Sequence, residues 1–561
     1  MEKGILNLNL TKIKKILFRF LFIFLTLFLF GFSKPESYAV ATRHHLATDI
    51  GIEILEKGGN AVDAAVAVAF ALAVVNPSAG NLGGGGFMII HNSSSKSIKA
   101  IDYREKAPIK SFETMFQDSE GNVIEGLSTN SILASGIPGT VAGLFHALEN
   151  YGTMDIKTLI EPSIELAKNG FPLSSFQSGN LNKYKKKFSR DNNAKIIFTR
   201  PEDFKANDLL IQKDLANTLE RIAKNGREEF YSGETSKKIV NYFKKEGGLL
   251  SHQDFKNYEV REFDAICGIY KNNKVCSMPP PSSGGIALIQ MLNVLENFDL
   301  ENTKHNSVEY INILQSVMNY AFFDRSLYLG DPNFLDIPEM ELTSKNYAKK
   351  VYEKIKKNVA PKDSKIIFRE SDETTHFSII DKWGNAVSNT YTLNTAYGSG
   401  IVPEGTGILM NNEMDDFSSK PGYPNVYGLV GSEANKIEPM KSPLSSMSPV
   451  IVFYKDSPKL ITGSPGGSTI ITTVLQEILN IIDFEMDLEE SAKKSRIHFQ
   501  HKPDILFYED LNIETMNLLS IDRKLFKRQL GETHSILIKN NKIQAFSDER
   551  RPDGKAISVY K

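Results

Sequence analysis

Two hydrophobic rhythms run along this chain. Apolar positions recur at helical spacing over Leu46–Lys57, which Gly58 and Gly59 stop, and over Glu161–Asn169, Leu215–Lys224, Thr235–Lys245 and Val308–Tyr328. Ala61–Val75 is apolar on nearly every side and therefore predicts a buried helix, with Asn60 as its cap and Asn76-Pro77 as its stop. Alternating patterns predict strands at Tyr38–Thr42 and, after the glycine run Gly83–Gly86, at Phe87–Ile90. The last third is richer in strands: Val450–Tyr454 with Lys459–Thr462, and Ser535–Lys539 with Lys542–Phe546 about Asn540-Asn541. A further hairpin is predicted from His376–Asp381, the turn Lys382-Trp383-Gly384, and Asn385–Asn394. On its second strand Thr390, Thr392 and Asn394 share one face, which lies beside Thr374 if the strands pair in register. Upstream, Lys349–Asp372 carries seven lysines, Pro361 and clustered polar residues, and predicts an exposed loop.

A threonine between such a loop and such a hairpin has a chemical meaning besides β propensity. Its hydroxyl is a poor nucleophile, but if the preceding peptide bond is cut, the freed α-amine, titrating near about 8, can take the hydroxyl proton. Gly463-Ser464-Pro465-Gly466-Gly467-Ser468 follows an apolar strand and precedes Thr469–Ile482, which has helical length. Backbone amides at such a helix start favour negative charge, which suits the oxyanion of acyl transfer. A phosphate loop is excluded, because its Lys and Ser/Thr are missing.

Six runs then fall into one order: Asn81–Gly86, Thr374-Thr375-His376, Tyr391–Thr395, Asn411–Phe417, Pro443–Met447 and Gly463–Ser468. Together they resemble the gamma-glutamyltransferases, from about Val40 to the C-terminus. The resemblance implies an α+β fold, the four-layer αββα sandwich of the N-terminal nucleophile hydrolases. It also implies a precursor that cuts itself between Glu373 and Thr374 into a large segment, 34–373, and a small one, 374–561. By the same resemblance Thr374 is the nucleophile, Thr392 orients it, and Gly466 and Gly467 form the oxyanion hole. Arg104 with Ser445 and Ser446 binds the substrate α-carboxylate, while Asn394, Glu413 and Asp416 hold the α-ammonium. The implied reaction is γ-glutamyl transfer and hydrolysis on glutathione or another γ-glutamyl amide, with water, an amino acid or a peptide as acceptor and no cofactor.

That assignment is chemically coherent, because a glutamyl group presents opposite charges at two points and Arg104 can grip a carboxylate with two parallel hydrogen bonds. Glu413 stands where some relatives carry Gln, adding negative charge near the ammonium. Pro421–Gly428 resembles a lid loop, from which Tyr423 or Tyr427 would cover the glutamyl group. Two other readings remain: a cephalosporin or glutaryl acylase of the same superfamily, and an exported binding protein that never matures.

Composition limits the partners. The 561 residues, 24% charged with a net charge of -1, offer no electrostatic case for nucleic acid. Lys12, Lys14, Lys15 and Arg19 precede the apolar run Phe20–Phe30 and then Gly31-Phe32-Ser33, predicting a signal peptide over 1–33 and export to a periplasm or the outside. The run is short for a membrane span. The two cysteines, Cys267 and Cys276, flank a predicted hairpin about Lys271–Lys274, where a bridge and two free thiols are equally compatible with the sequence. The ten histidines, His44, His45, His498 and His501 among them, form no metal-ligand pattern.

Overall fold

The computed structural model describes residues 37–361 and 374–560, apart from 522 and 541. The predicted signal peptide over 1–33, residues 362–372 of the predicted exposed loop and Glu373 lie outside the described residues. Tyr38–Ser558 form one compact unit.

The alternating segments form the strands β1 (Ser37–Thr42), β2 (Gly85–His91), β3 (Ile98–Tyr103), β4 (Arg261–Asp264), β5 (Ile266–Tyr270), β6 (Asn273–Ser277), β7 (Thr375–Ile380), β8 (Ala386–Thr392), β9 (Val450–Tyr454), β10 (Ser457–Thr462), β11 (His534–Lys539), β12 (Lys542–Ser547) and β13 (Lys555–Tyr560). They make a seven-stranded sheet in the order β13-β1-β7-β8-β2-β3-β4 and a six-stranded sheet in the order β12-β11-β10-β9-β6-β5. The inner faces bury Ala39, Ala41, Phe87 and Ile89 from the first sheet against Ile451, Phe453, Ile461 and Ile536 from the second. Period-two alternation sends every other side chain into this seam.

Helices cover the outer faces. After α1 (His45–Glu56) comes α2 (Ala61–Val75), buried at every position, to which Tyr391 on the outer side of β8 donates a hydrogen bond at Ala69 O, 2.9 Å. Asn60 caps α2 through the amides of Val62 and Asp63, and Asp63 answers to the Asn60 amide. Behind the second sheet, α3 (Gly284–Leu295), α4 (Val308–Tyr328) and α6 (Thr469–Ile482) pack Leu288, Leu292, Val317, Val474 and Ile478 on Val450 and Val452. Two sheets between two helical layers is the αββα arrangement expected above. Among the described residues no helix is long and apolar enough to cross a membrane.

Several sequence expectations shift. The predicted exposed loop at Lys349–Asp372 begins as a helix, because α5 (Lys345–Lys356) continues through Lys349 and buries Ala348 and Val351. Its lysines occupy the solvent side of an amphipathic surface, a helical spacing that lysine count alone conceals. The predicted strand Asn385–Asn394 stops at Thr392, since Asn394 turns into the left-handed region with φ 76°. Cys267 and Cys276 face each other on β5 and β6 and are joined as a disulfide.

One side chain ties the two sheets near the site. Ser388, buried on β8, donates to Thr462 O of β10 at 2.9 Å and accepts from Val450 N of β9 at 3.0 Å. Ser388→Ala removes both of these buried links, so the expected loss is about 1–3 kcal/mol of stability, read as a lower urea midpoint with an unchanged slope. An unaltered midpoint would mean that the seam does not need this link.

Candidate active site

Thr374 sits immediately before β7 and is 3% exposed. The β7–β8 ladder pairs Thr375 with Tyr391 and His376 with Thr390, which brings Thr392 across from Thr374. Thr374 Oγ1 donates to Thr392 Oγ1 at 3.4 Å, and the Thr392 oxygen also accepts the Asn394 amide at 2.9 Å. Just after β1, Arg43 Nη1 reaches the Thr374 carbonyl at 2.5 Å while its Nε pairs with Glu532 at 2.7 Å. Glu532 is buried, which would raise its pKa, but Arg43 and Arg551 outweigh that and hold it below the usual carboxylate range. His376 is no rival base. Both its nitrogens are engaged, by Thr390 Oγ1 at 2.8 Å and Ser378 Oγ at 3.1 Å, and burial beside His534 keeps it well below the ordinary imidazole value.

The turn between β10 and α6 packs directly on that histidine: a Cβ at Gly463 would come within 2.3 Å of His376 Cε1. Gly466 and Gly467 take φ 129° and 56°, and the Gly466 carbonyl is tied back by Thr469 through its amide at 3.0 Å and its hydroxyl at 2.8 Å. Among the described residues neither glycine amide donates to a protein group. Gly467 borders the pocket, whereas Gly466 stands one residue behind it.

In that pocket all the remaining predicted residues meet: Thr374, Thr392, Arg104, Asn394, Glu413, Asp416, Ser445 and Ser446. Arg104 follows β3 and is 1% exposed, so it is no surface ion pair. The sequence reading set Arg104 and the acids as two separated poles. Instead they touch: Arg104 pairs with Glu413, with Asp416 Oδ2 at 2.5 Å and with Glu105 at 3.5 Å, and donates to Pro443 O at 3.3 Å. The reason is electrostatic, since a buried charge requires an opposite one. Burial alone would depress the Arg104 pKa, but Glu413, Asp416 and Glu105 raise it above the ordinary value. One guanidinium cannot balance three carboxylates, of which Glu105 and Glu413 are buried. Burial pushes Glu105 up to about 7 despite Arg104, and burial with the neighbouring acids lifts Glu413 well above the usual range. Among the described residues Asn394 Oδ1 and Glu413 Oε2 are buried acceptors without a hydrogen-bond partner.

The lid expectation resolves between its two tyrosines. Tyr427 is 6% exposed, lines the cavity and donates to Asn394 O at 2.5 Å, whereas Tyr423 is 44% exposed. Asn425 Nδ2 ties the loop to Asp416 Oδ1 at 3.0 Å, and Val426 N ties it to Asp415 at 2.9 Å. Two arginines escaped the sequence reading. Arg43 looks like an ordinary residue after a strand; for Arg325, a cation within the apolar helix α4 was the available signal. Among the described residues no group of three or more His, Cys, Asp or Glu could hold a metal ion.

Comparison with known proteins gives a consistent answer. The sequence profile of the Gamma-glutamyltranspeptidase family matches residues 47–558. The glutathione hydrolase proenzyme of Escherichia coli (strain K12) is 46% identical over 525 residues, covering 92% of this chain and 90% of the relative. The crystal structure of Helicobacter pylori gamma-glutamyltranspeptidase is 44% identical with a TM-score of 0.55, covering 56% of this chain and 90% of that one. A cephalosporin acylase from Bacillus halodurans superposes over 93% of this chain and 96% of its own with a TM-score of 0.81 at 22% identity, a likeness of fold. Profile, identity and architecture agree: the chain belongs to the gamma-glutamyltranspeptidase family.

Proposed function

We propose that this protein is an exported precursor that cuts itself between Glu373 and Thr374 and then transfers or hydrolyses the γ-glutamyl group of glutathione and related amides. The observation that carries this reading is the cavity itself, where Thr374 opens onto Arg104, two serines and two unpartnered buried acceptors. Relatives named glutathione hydrolase proenzyme support both the maturation and the substrate class. The basic, apolar and small-residue stretch over 1–33 supports export.

In this mechanism the α-amine of Thr374 takes the proton from Oγ1 as that oxygen attacks the γ-carbonyl carbon. The amides of Gly466 and Gly467 receive the oxyanion, Thr392 aligns the hydroxyl, and Tyr427 closes the pocket over the glutamyl group. As the tetrahedral intermediate collapses, the carbon–nitrogen bond breaks and the ammonium proton passes to the leaving amine, cysteinylglycine when glutathione reacts. A γ-glutamyl ester remains on Thr374 until water or an acceptor amine attacks it by the reverse sequence. The substrate α-carboxylate joins Arg104, Ser445 and Ser446; its α-ammonium takes Asn394 Oδ1, Glu413 and Asp416.

Mass spectrometry of the purified protein should find two fragments, the smaller beginning at Thr374, and a single uncut chain for Thr374→Ala. Fragments starting at residue 374 in the alanine variant would assign the cut to a foreign protease and end the self-processing account. Gly467→Ala places a Cβ about where the Tyr427 ring stands, 2.4 Å from its Cδ1. Because the added Cβ displaces both the turn and the tyrosine over the pocket, kcat/KM for γ-glutamyl-4-nitroanilide should drop at least about tenfold, with kcat falling as well as KM rising. An unchanged kcat would remove this turn from the chemistry. The pH response has a definite sign. Because burial raises Glu105 and Glu413, the pair holds a proton at low pH that must leave before an ammonium is fully paired. KM should therefore fall as pH rises through about 7, and Glu413→Gln should flatten the slope. A KM rising with pH in the unaltered enzyme would contradict this electrostatic account.

A further inference from the structure

Arg325 lies in the last turn of α4 and is buried, yet among the described residues no carboxylate pairs with it. Its Nε donates to Ser283 Oγ at 3.0 Å, and its Nη2 donates to Ser446 Oγ at 3.4 Å. Ser283 in turn holds Ser445, donating to the Ser445 carbonyl from its amide at 2.8 Å and from its hydroxyl at 2.7 Å. Arg325 thus touches one serine of the pair directly and the other through a single intermediary. Burial lowers its pKa to about 10, with Asp416 opposing that and Arg104 adding to it, so it remains charged at neutral pH. Its place at a helix C-terminus, where backbone carbonyls gather, favours a cation.

The charge count makes this residue consequential. Arg104 is already engaged by Glu413 and Asp416, so its charge is compensated within the protein. Arg325 is a neighbouring cation that no ion pair takes among the described residues; one of its contacts, Ser446, lines the cavity, and the other, Ser283, holds Ser445, which lines it too. A buried guanidinium without a counterion is costly, and an anion held at those serines would relieve that cost.

We infer that Arg325 is a positioning and specificity-determining residue, which orients Ser445 and Ser446 and supplies the positive field that makes the pocket demand an α-carboxylate. The inference rests on the γ-glutamyl reading above. It assigns Arg325 to the carboxylate end only, with no part in the chemistry at Thr374.

Three small inhibitors separate the two ends of the substrate: L-glutamate, glutarate, which lacks the ammonium, and 4-aminobutyrate, which lacks the α-carboxylate. Their competitive inhibition constants are to be measured against γ-glutamyl-4-nitroanilide on the mature unaltered enzyme and on Arg325→Gln. The constants for L-glutamate and glutarate should rise at least about tenfold, the loss of a charge-assisted contact, while that for 4-aminobutyrate stays within about twofold. KM for the anilide should rise more than kcat falls, and Arg325→Lys should recover part of the loss. A uniform rise for all three inhibitors would mean a merely structural arginine, and no rise for L-glutamate would remove the residue from recognition; either overturns the inference. If Arg325→Gln fails to mature, Arg325→Lys is read the same way, and a selective rise for L-glutamate and glutarate, the two that carry a carboxylate at the α end, is still required. Failure of the parent reading looks different, because the unaltered enzyme would then neither cleave the anilide nor be inhibited by L-glutamate.

Discussion

Everything at this site depends on how firmly one residue is held at the end of a strand. A threonine before β7 would be free to turn if only its neighbours in sequence restrained it. Here its carbonyl is gripped by Arg43, just after β1, and its hydroxyl faces Thr392 because the hairpin pairs His376 with Thr390. Glu532 fixes Arg43 in turn. The restraint is therefore built from three distant stretches of chain: two act on different atoms of Thr374, and the third holds one of those two in place.

The pocket next to it follows another constraint, charge conservation in a buried space. Three carboxylates surround Arg104, and burial raises two of them, so the cluster sits close to a protonation boundary. Such a cluster is well suited to a ligand carrying both signs, because substrate charges replace internal pairs one for one. The loop that carries Tyr427 is connected to one of these acids, Asp416, through Asn425 and to the adjacent Asp415 through Val426, so the acid cluster and the position of Tyr427 are linked by direct contacts.

The long regular elements were legible in the sequence because their periodicity is strong. Ala61–Val75 and Val308–Tyr328 form helices over those same residues, and the hairpin carrying Thr374 falls where alternation and the Trp383-Gly384 turn indicate. The residues that line the pocket were legible through six short motifs and, for Arg104, the separate run Asp102–Glu105, which single-residue reasoning would not have united. What stayed hidden was contact across long separations. Nothing local to Arg43 points to Thr374, 331 residues away, and nothing local to Arg104 says that Glu413 and Asp416 close upon it. The helical start of the lysine-rich stretch was hidden for a different reason, since two buried positions, Ala348 and Val351, are enough to anchor an otherwise polar surface.

Strand order carries a last consequence. Strands from before and after residue 374 are interleaved in both sheets: β7 lies against β1, β8 against β2, and β9 against β6. A chain opened ahead of Thr374 would thus remain woven together like interlaced fingers. With β13 also lying on the other side of β1, prising the halves apart would require unzipping four backbone ladders at once, so the break could create a new chain end while leaving the surrounding scaffold mechanically intact.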